Sequence, residues 1–304
     1  MPLLALVLVT AVWGVTFVQV KDAITVYPLF AFLAVRYAIA TGVLGIAGAS
    51  HIRSLGRPGF QAGAVLGTLL GIGVALQTAG LERTTVSGTG FITGLYVVLT
   101  PLFGLALFRI KVGVEVWAGV ALSLVGLALL TGVQAGSTLG DLLVLASTSA
   151  QALQILMVER YASRYDAIAL TFVELATCFV AFLAIALALG DLSVPRGWTV
   201  WGALLVTAVF ASALAYLIQI WAQRRISAAR IALVFSLETV WAGFFGYVLK
   251  DERLGWLGWG GCALILAGIL LAEPAAADFL RTASGRSPGR LRRRREAGRP
   301  DANP

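Results

Sequence analysis

The sequence predicts an all-α polytopic membrane protein whose ten transmembrane helices form two inverted five-helix repeats. Three observations lead there. Only 12% of the 304 residues are charged and 59% are hydrophobic, against roughly 25% and 45–50% in soluble domains. The apolar residues run on continuously for stretches of about 20, the length of helix that crosses the hydrocarbon core. The second half of the chain also repeats the layout of the first. So little charge cannot clothe a water-soluble globule of this size, which excludes a cytosolic enzyme, a nucleic-acid module and a disordered chain.

Measured along the chain, the apolar runs fall near 3–20, 27–49, 60–81, 86–108, 114–133, 142–158, 167–189, 199–221, 231–249 and 256–272. The first has no basic residue ahead of it and Lys21 behind it, the pattern of a retained span rather than a cleaved signal peptide. The third carries Gly63, Gly67 and Gly71 at four-residue spacing, a stripe that lets two helix backbones approach closely. In the fourth, Gly88, Gly90 and Gly94 loosen the helix. The sixth has the polar stripe Ser147, Gln151, Gln154, and the eighth has Tyr216, Gln219, Gln223. Trp256 and Trp259 open the tenth as interface anchors. Connections such as Lys21-Asp22, His51 to Gly59 and Arg109 to Gly113 are too short for a soluble domain. No period-two alternation supports a β-barrel.

The chain divides into a first repeat over 1–133, a connecting loop over 134–141, a second repeat over 142–272 and a basic tail over 273–304. An offset of 138 pairs Tyr27 with Tyr165 and Arg36 with Glu174. Beyond a four-residue insertion near Lys250 to Arg253 the offset is 142, pairing Trp117 with Trp259, Gly119 with Gly261 and Gly126 with Gly268. Five spans per repeat is an odd number, so the second copy lies upside down, with a midplane site between the halves. With the N-terminus inside, cytoplasmic loops hold nine Lys or Arg and outer loops five. The expected topology is therefore a plasma (inner) membrane protein with both termini cytoplasmic. Eight further arginines lie in the tail, which is expected to be disordered and to face anionic headgroups rather than nucleic acid.

Charges inside a span are costly and usually face a cavity or a partner. Arg36, Glu174 and Glu238 are such residues. Arg36 and Glu174 either pair across the repeat interface or are satisfied separately. Glu238 either serves a cationic group or a coupling proton, or is held by neighbouring hydroxyls. Trp13, Thr16, Phe17, Gln77, Tyr96, Gln151, Gln154, Tyr216, Gln219 and Trp241 are the further candidates for a polar cavity. Ordinary interhelical hydrogen bonding competes as an explanation for each. No GxxxxGK[ST] loop is present, His51 stands alone, and no serine elbow has a histidine base. The sequence therefore implies no enzyme, no cofactor and no metal. Cys178 and Cys262 lie in apolar runs and are not expected to form a disulfide.

Ala11-Val12-Trp13-Gly14-Val15-Thr16-Phe17 resembles the first-helix motif of EamA-type members of the drug/metabolite transporter superfamily. Pro28 with Arg36-Tyr37 is similar to that family's second helix, and Phe91 to Pro101 to its fourth. Gly140-Asp141-Leu142, Ser236 to Val240, Asp251 to Leu254 and Trp259 to Gly268 continue the likeness through residue 272. Thr239 stands where the family usually has proline, and only the second repeat has an acidic-basic pair, Glu252-Arg253. The resemblance implies ten helices, a central cavity and secondary active transport of a small metabolite by alternating access. An amino acid or related solute, exported, is the cargo it suggests, with protons as the candidate counter-ion. A passive facilitator or channel, a lipid flippase and a homodimeric assembly are the alternatives carried forward.

Overall fold

The computed structural model describes residues 2–84, 86–131, 138–250 and 255–272. The Glu252-Arg253 pair, most of the connecting loop and the basic tail lie outside these residues.

The described chain is helical throughout: α1 (Pro2–Ile24), α2 (Leu29–Ala47), a short α3 (Ala49–Arg53), α4 (Arg57–Arg83), α5 (Val86–Gly94), α6 (Tyr96–Phe108), α7 (Val114–Thr131), α8 (Thr138–Ala162), α9 (Ala167–Leu189), α10 (Trp198–Ala208), a π-helical turn over Val209–Leu214, α11 (Ala215–Gln223), α12 (Ala228–Phe235), α13 (Leu237–Lys250) and α14 (Trp256–Ala272). Among the described residues, seven stretches are long and apolar enough to cross a membrane: Pro2–Ile24, Leu29–Ala47, Arg57–Arg83, Thr89–Phe108, Leu139–Ala162, Ala167–Leu189 and Trp198–Gln223. α14 and Val114–Leu129 within α7 are apolar but shorter. The protein is a polytopic helical membrane protein.

Two features depart from the apolar ruler. Lys21 and Asp22 lie in the last turns of α1 rather than in a loop, and Lys21 Nζ donates to the Thr84 carbonyl at the end of α4, 3.0 Å away. Three of the expected spans are also interrupted. The fourth breaks at Leu95, directly after Gly94, and Pro101 inside α6 withholds a further backbone donor. The eighth widens into the π turn, and the ninth breaks at Ser236. Elsewhere local chemistry sets the ends. Asp166 caps α9 by accepting from the Ile168 and Ala169 amides at 3.0 and 3.1 Å, and Gly190 ends that helix at φ 71°.

Small residues set the packing. On α4, a Cβ at Gly63 would meet Val173 of α9 at 2.7 Å, and one at Gly67 would strike the Glu174 carbonyl. On the opposite face, Gly73 and Gly80 seat Gln151 and Val144 of α8. The expected glycine stripe is thus an internal crossing between helices. α7 and α14 cross as closely: a Cβ at Gly119 would sit 2.5 Å from the Gly268 oxygen, and one at Gly126 would sit 2.6 Å from the Gly261 oxygen. Across the other contacts, α2 packs on α9 and on α10, α1 on α10, α11 and α13, and α6 on α8 and α12.

The α7–α14 crossing yields a stability prediction. Gly119→Ala forces the backbones apart and should cost about 1–3 kcal/mol. Gly42→Ala, with nothing within 4 Å of the new methyl, should be neutral or gain up to about 1 kcal/mol of helix propensity. Thermal unfolding of the two variants in detergent checks this, and equal midpoints would remove the close-crossing account.

Candidate functional site

A cavity of about 560 Å³ lies among α1, α2, α4, α8, α11 and α13. The C-terminal half of α1 supplies Trp13, Thr16, Phe17 and Val20, and the C-terminal half of α4 supplies Val74, Gln77, Thr78 and Leu81. Arg36, Gln151, Tyr216 and Glu238 complete the wall. Because α1 and α4 both finish on this side, the cavity sits toward that end of the bundle.

The π turn anchors two wall residues, Trp13 and Arg36. In a π turn the bonds reach one residue further than in an α-helix, which leaves groups free for outside partners. The Ala211 carbonyl accepts from Trp13 Nε1 at 2.9 Å. The buried Ser212 hydroxyl accepts from Arg36 Nε at 2.8 Å. No other hydrogen bond of Arg36 is formed among the described residues, so its terminal nitrogens are free toward the cavity. Its guanidinium also lies 5.5 Å from the Tyr37 ring centroid.

Opposite stands Glu238, whose Oε2 accepts from the Tyr96 hydroxyl at 3.2 Å. Aromatic rings make the base: Trp13 lies 4.8 Å from Phe235 and 5.8 Å from Tyr216, and Phe235 lies 6.2 Å from Tyr96. Gln77 is held by the Thr93 hydroxyl at 3.1 Å, and Gln151 by Ser147 at 2.9 Å. Thr239 donates to the Gly90 carbonyl at 3.1 Å. A proline at that position would leave this carbonyl on the interrupted α5–α6 stretch without its partner. The site therefore offers one cation, one carboxylate, amides and hydroxyls on an aromatic and aliphatic floor.

The candidates fall into two groups. Trp13, Thr16, Phe17, Arg36, Gln77, Gln151, Tyr216 and Glu238 come together around the cavity. Glu174, Gln154 and Gln219 do not; they form a separate buried chain with Gln223. Gln154 Nε2 donates to Glu174 Oε1 at 2.7 Å, and Gln219 Nε2 to Gln154 Oε1 and Gln223 Oε1, both at 3.0 Å. Gln223 ends the chain on the Ile155 carbonyl at 2.8 Å. Arg36 and Glu174 form no ion pair. Their positions match along the repeats, but Arg36 turns to the π segment and Glu174 to α8. Tyr96 is fully buried behind Glu238, and Trp241 packs at the α1–α13 crossing, where Gly14 makes room for its Cβ.

A profile of the EamA-like transporter family matches residues 1–132 and, a second time, 138–272. The chain belongs to this family. It is thus a membrane transporter of the drug/metabolite superfamily. An uncharacterized transporter of Archaeoglobus fulgidus is 31% identical over 270 residues, covering 89% of this chain and 85% of that protein. A solved crystal structure superposes with a TM-score of 0.73 at 20% identity, covering 91% of this chain and 96% of the other, which is a likeness of fold.

In this EamA-like transporter several wall residues carried little sequence signal. Ser212 could have been found, since it stands four residues before Tyr216 on the eighth-span stripe. Thr78 adjoins Gln77, but Val20, Val74 and Leu81 look like any lipid-facing or core aliphatic.

The buried chain has a testable energetic role. Gln154→Leu strands Glu174 Oε1 and a Gln219 donor away from water, and should destabilise by about 2 kcal/mol or more. Adding Glu174→Leu should cost less than the two single changes summed, because it removes the stranded acceptor. Denaturant unfolding of the four proteins in detergent gives the coupling, and strict additivity would dissolve the chain as a unit.

Proposed function

We propose that this EamA-like transporter is a secondary carrier for a small zwitterion such as an apolar amino acid, working by alternating access between two inverted five-helix repeats. The observation that carries the reading is the placement of Arg36 and Glu238 on the walls of one cavity of about 560 Å³. The free guanidinium nitrogens suit a carboxylate, bidentate if both engage, and Glu238 suits an ammonium. Trp13, Phe17 and Tyr216 suit an apolar side chain between them.

The ten-span reading counts α5 with α6, α10 with α11, and α12 with α13 as interrupted single spans, and α7 and α14 as short ones. Several packings support the inverted repeat. Gly119 faces Gly268 while Gly126 faces Gly261, and the sequence offset of 142 makes Gly261 the counterpart of Gly119 and Gly268 that of Gly126. Such reciprocal pairing is what a two-fold axis between α7 and α14 produces. The same operation exchanges the α4–α9 packing with α10–α2, and α1–α13 with α8–α6. The more basic loops favour both termini in the cytoplasm, which puts the cavity in the outer half. We assign the direction as export and Glu238 as the site of proton coupling.

Full-length protein in liposomes, tested with leucine, phenylalanine and the matching amines and carboxylic acids, decides the matter. Saturable counterflow of the amino acids but of neither set of single-charge analogues is the expected outcome. Arg36→Gln should raise KM about tenfold or more, as lost charge-assisted contacts do. Glu238→Gln should abolish the accompanying pH change inside while exchange persists. Flux linear in concentration would make it a channel, and lipid scrambling without solute flux a flippase.

A further inference from the structure

A second cavity, of about 570 Å³, lies at the other end of the bundle and shares no lining residue with the first. Here α6 and α8 finish and α7 and α12 begin. Thr100, Lys111, Glu159, Ser227 and Arg230 bring its polar groups, and Pro101, Val112 and Leu156 are among its apolar walls.

Two of these groups are unsatisfied. The Thr100 hydroxyl is fully buried and has no partner. Other helical threonines in this bundle, such as Thr78, Thr171 and Thr207, donate back to the carbonyl four residues earlier. Thr100 does not, so its hydroxyl remains available to the cavity. Arg230 Nε is likewise buried without a partner. The side chain of Ser227, at the N-cap of α12, makes no capping bond; the Glu159 carboxylate takes that place by accepting from the Ala228 amide. Against these donors stands one acid: Glu159, beside the Ala228 amide. A cation, a carboxylate, hydroxyls and aliphatic walls are what the first cavity offers as well.

The Tyr96–Glu238 bond of 3.2 Å ties the two broken spans together. Tyr96 opens α6, whose later turns line the second cavity; Glu238 lines the first cavity and opens α13, just past the break from α12, whose start lines the second. Both broken spans therefore reach from this bond to the second cavity. We propose that the second cavity is a second binding site for the transported solute, with Arg230, Lys111 and Thr100 taking its carboxylate and Glu159 its ammonium. The zwitterionic class rests on the reading of the first cavity; the recognition of an anion here rests on this site alone.

The experiment uses Ala229→Cys in the full-length protein, with the wild type labelled in parallel to correct for the buried Cys178 and Cys262. Labelling rates are compared for an anionic and a cationic methanethiosulfonate reagent, sulfonatoethyl and trimethylammonioethyl. The anionic reagent should react about tenfold faster, as focused charge in a cleft allows. Adding Arg230→Gln should erase the preference, Arg230→Lys should keep most of it, and Glu159→Gln should enlarge it. Phenylalanine should slow labelling, and should still do so with Arg36→Gln in the first cavity. A rate ratio indifferent to Arg230→Gln overturns the proposal, as does a faster cationic reagent. Loss of phenylalanine protection in Arg36→Gln also overturns it, because binding would then belong to the first cavity. If transport assays find no zwitterion while the Arg230-dependent ratio persists, the reading of the first cavity falls and anion recognition at the second stands.

Discussion

Inside a bilayer, a backbone N–H or C=O that leaves its helix has no water to turn to. Everything irregular in this bundle is placed under that constraint. At the helix interruptions at Leu95, at Val209–Leu214 and at Ser236, side chains take over part of the bonding. Trp13 answers the Ala211 carbonyl in the π turn, and Thr239 answers the Gly90 carbonyl before the Leu95 break. The Ser236 hydroxyl turns back to the Leu233 carbonyl at 2.6 Å. The same irregularities bring polar groups to the cavity. Ser212 orients Arg36, and the two broken spans set Tyr96 against Glu238.

Lipid supplies no hydrophobic drive to bring helices together, so close packing and polar pairing must hold the bundle. Glycines on α4, α7 and α14 let backbones touch. The chain from Glu174 to Gln223 then ties α8, α9 and α11 through fully paired amides. Polar residues in the spans thus do two jobs. Those of the buried chain weld helices, and others, such as Arg36 and Thr100, line the cavities. Arg36 and Glu174 divide along this line.

Much of the fold was legible in the sequence because length and hydropathy act locally. The ends of α9 and α14 fall where the apolar runs of 167–189 and 256–272 begin and end. The glycine stripe of α4 was legible as a packing face for the same reason: small residues four apart must share a side of a helix. Of the interruptions, the one after Gly94 had a sequence signal in the glycines of the fourth span; the other two were not legible, since Ser212 and Ser236 are also found in straight helices. The site was legible in part. Polar stripes on the sixth and eighth spans mark faces turned from lipid, but a face turned inward can meet either a cavity or a neighbouring helix. Gln151 lines the cavity, and Gln154, three residues on, belongs to the buried chain.

The sequence by itself determined that this chain lives in a membrane, that its two halves correspond, and which charges had to be sheltered from lipid. These follow from composition and spacing, which act along the chain. Only the tertiary structure decided which sheltered charge faces a cavity. That depends on the rotation of each helix about its axis and on breaks of a single turn, and both are set by contacts between residues far apart in sequence. Arg36 and Ser212 are 176 residues apart. Tyr96 and Glu238 are 142 residues apart.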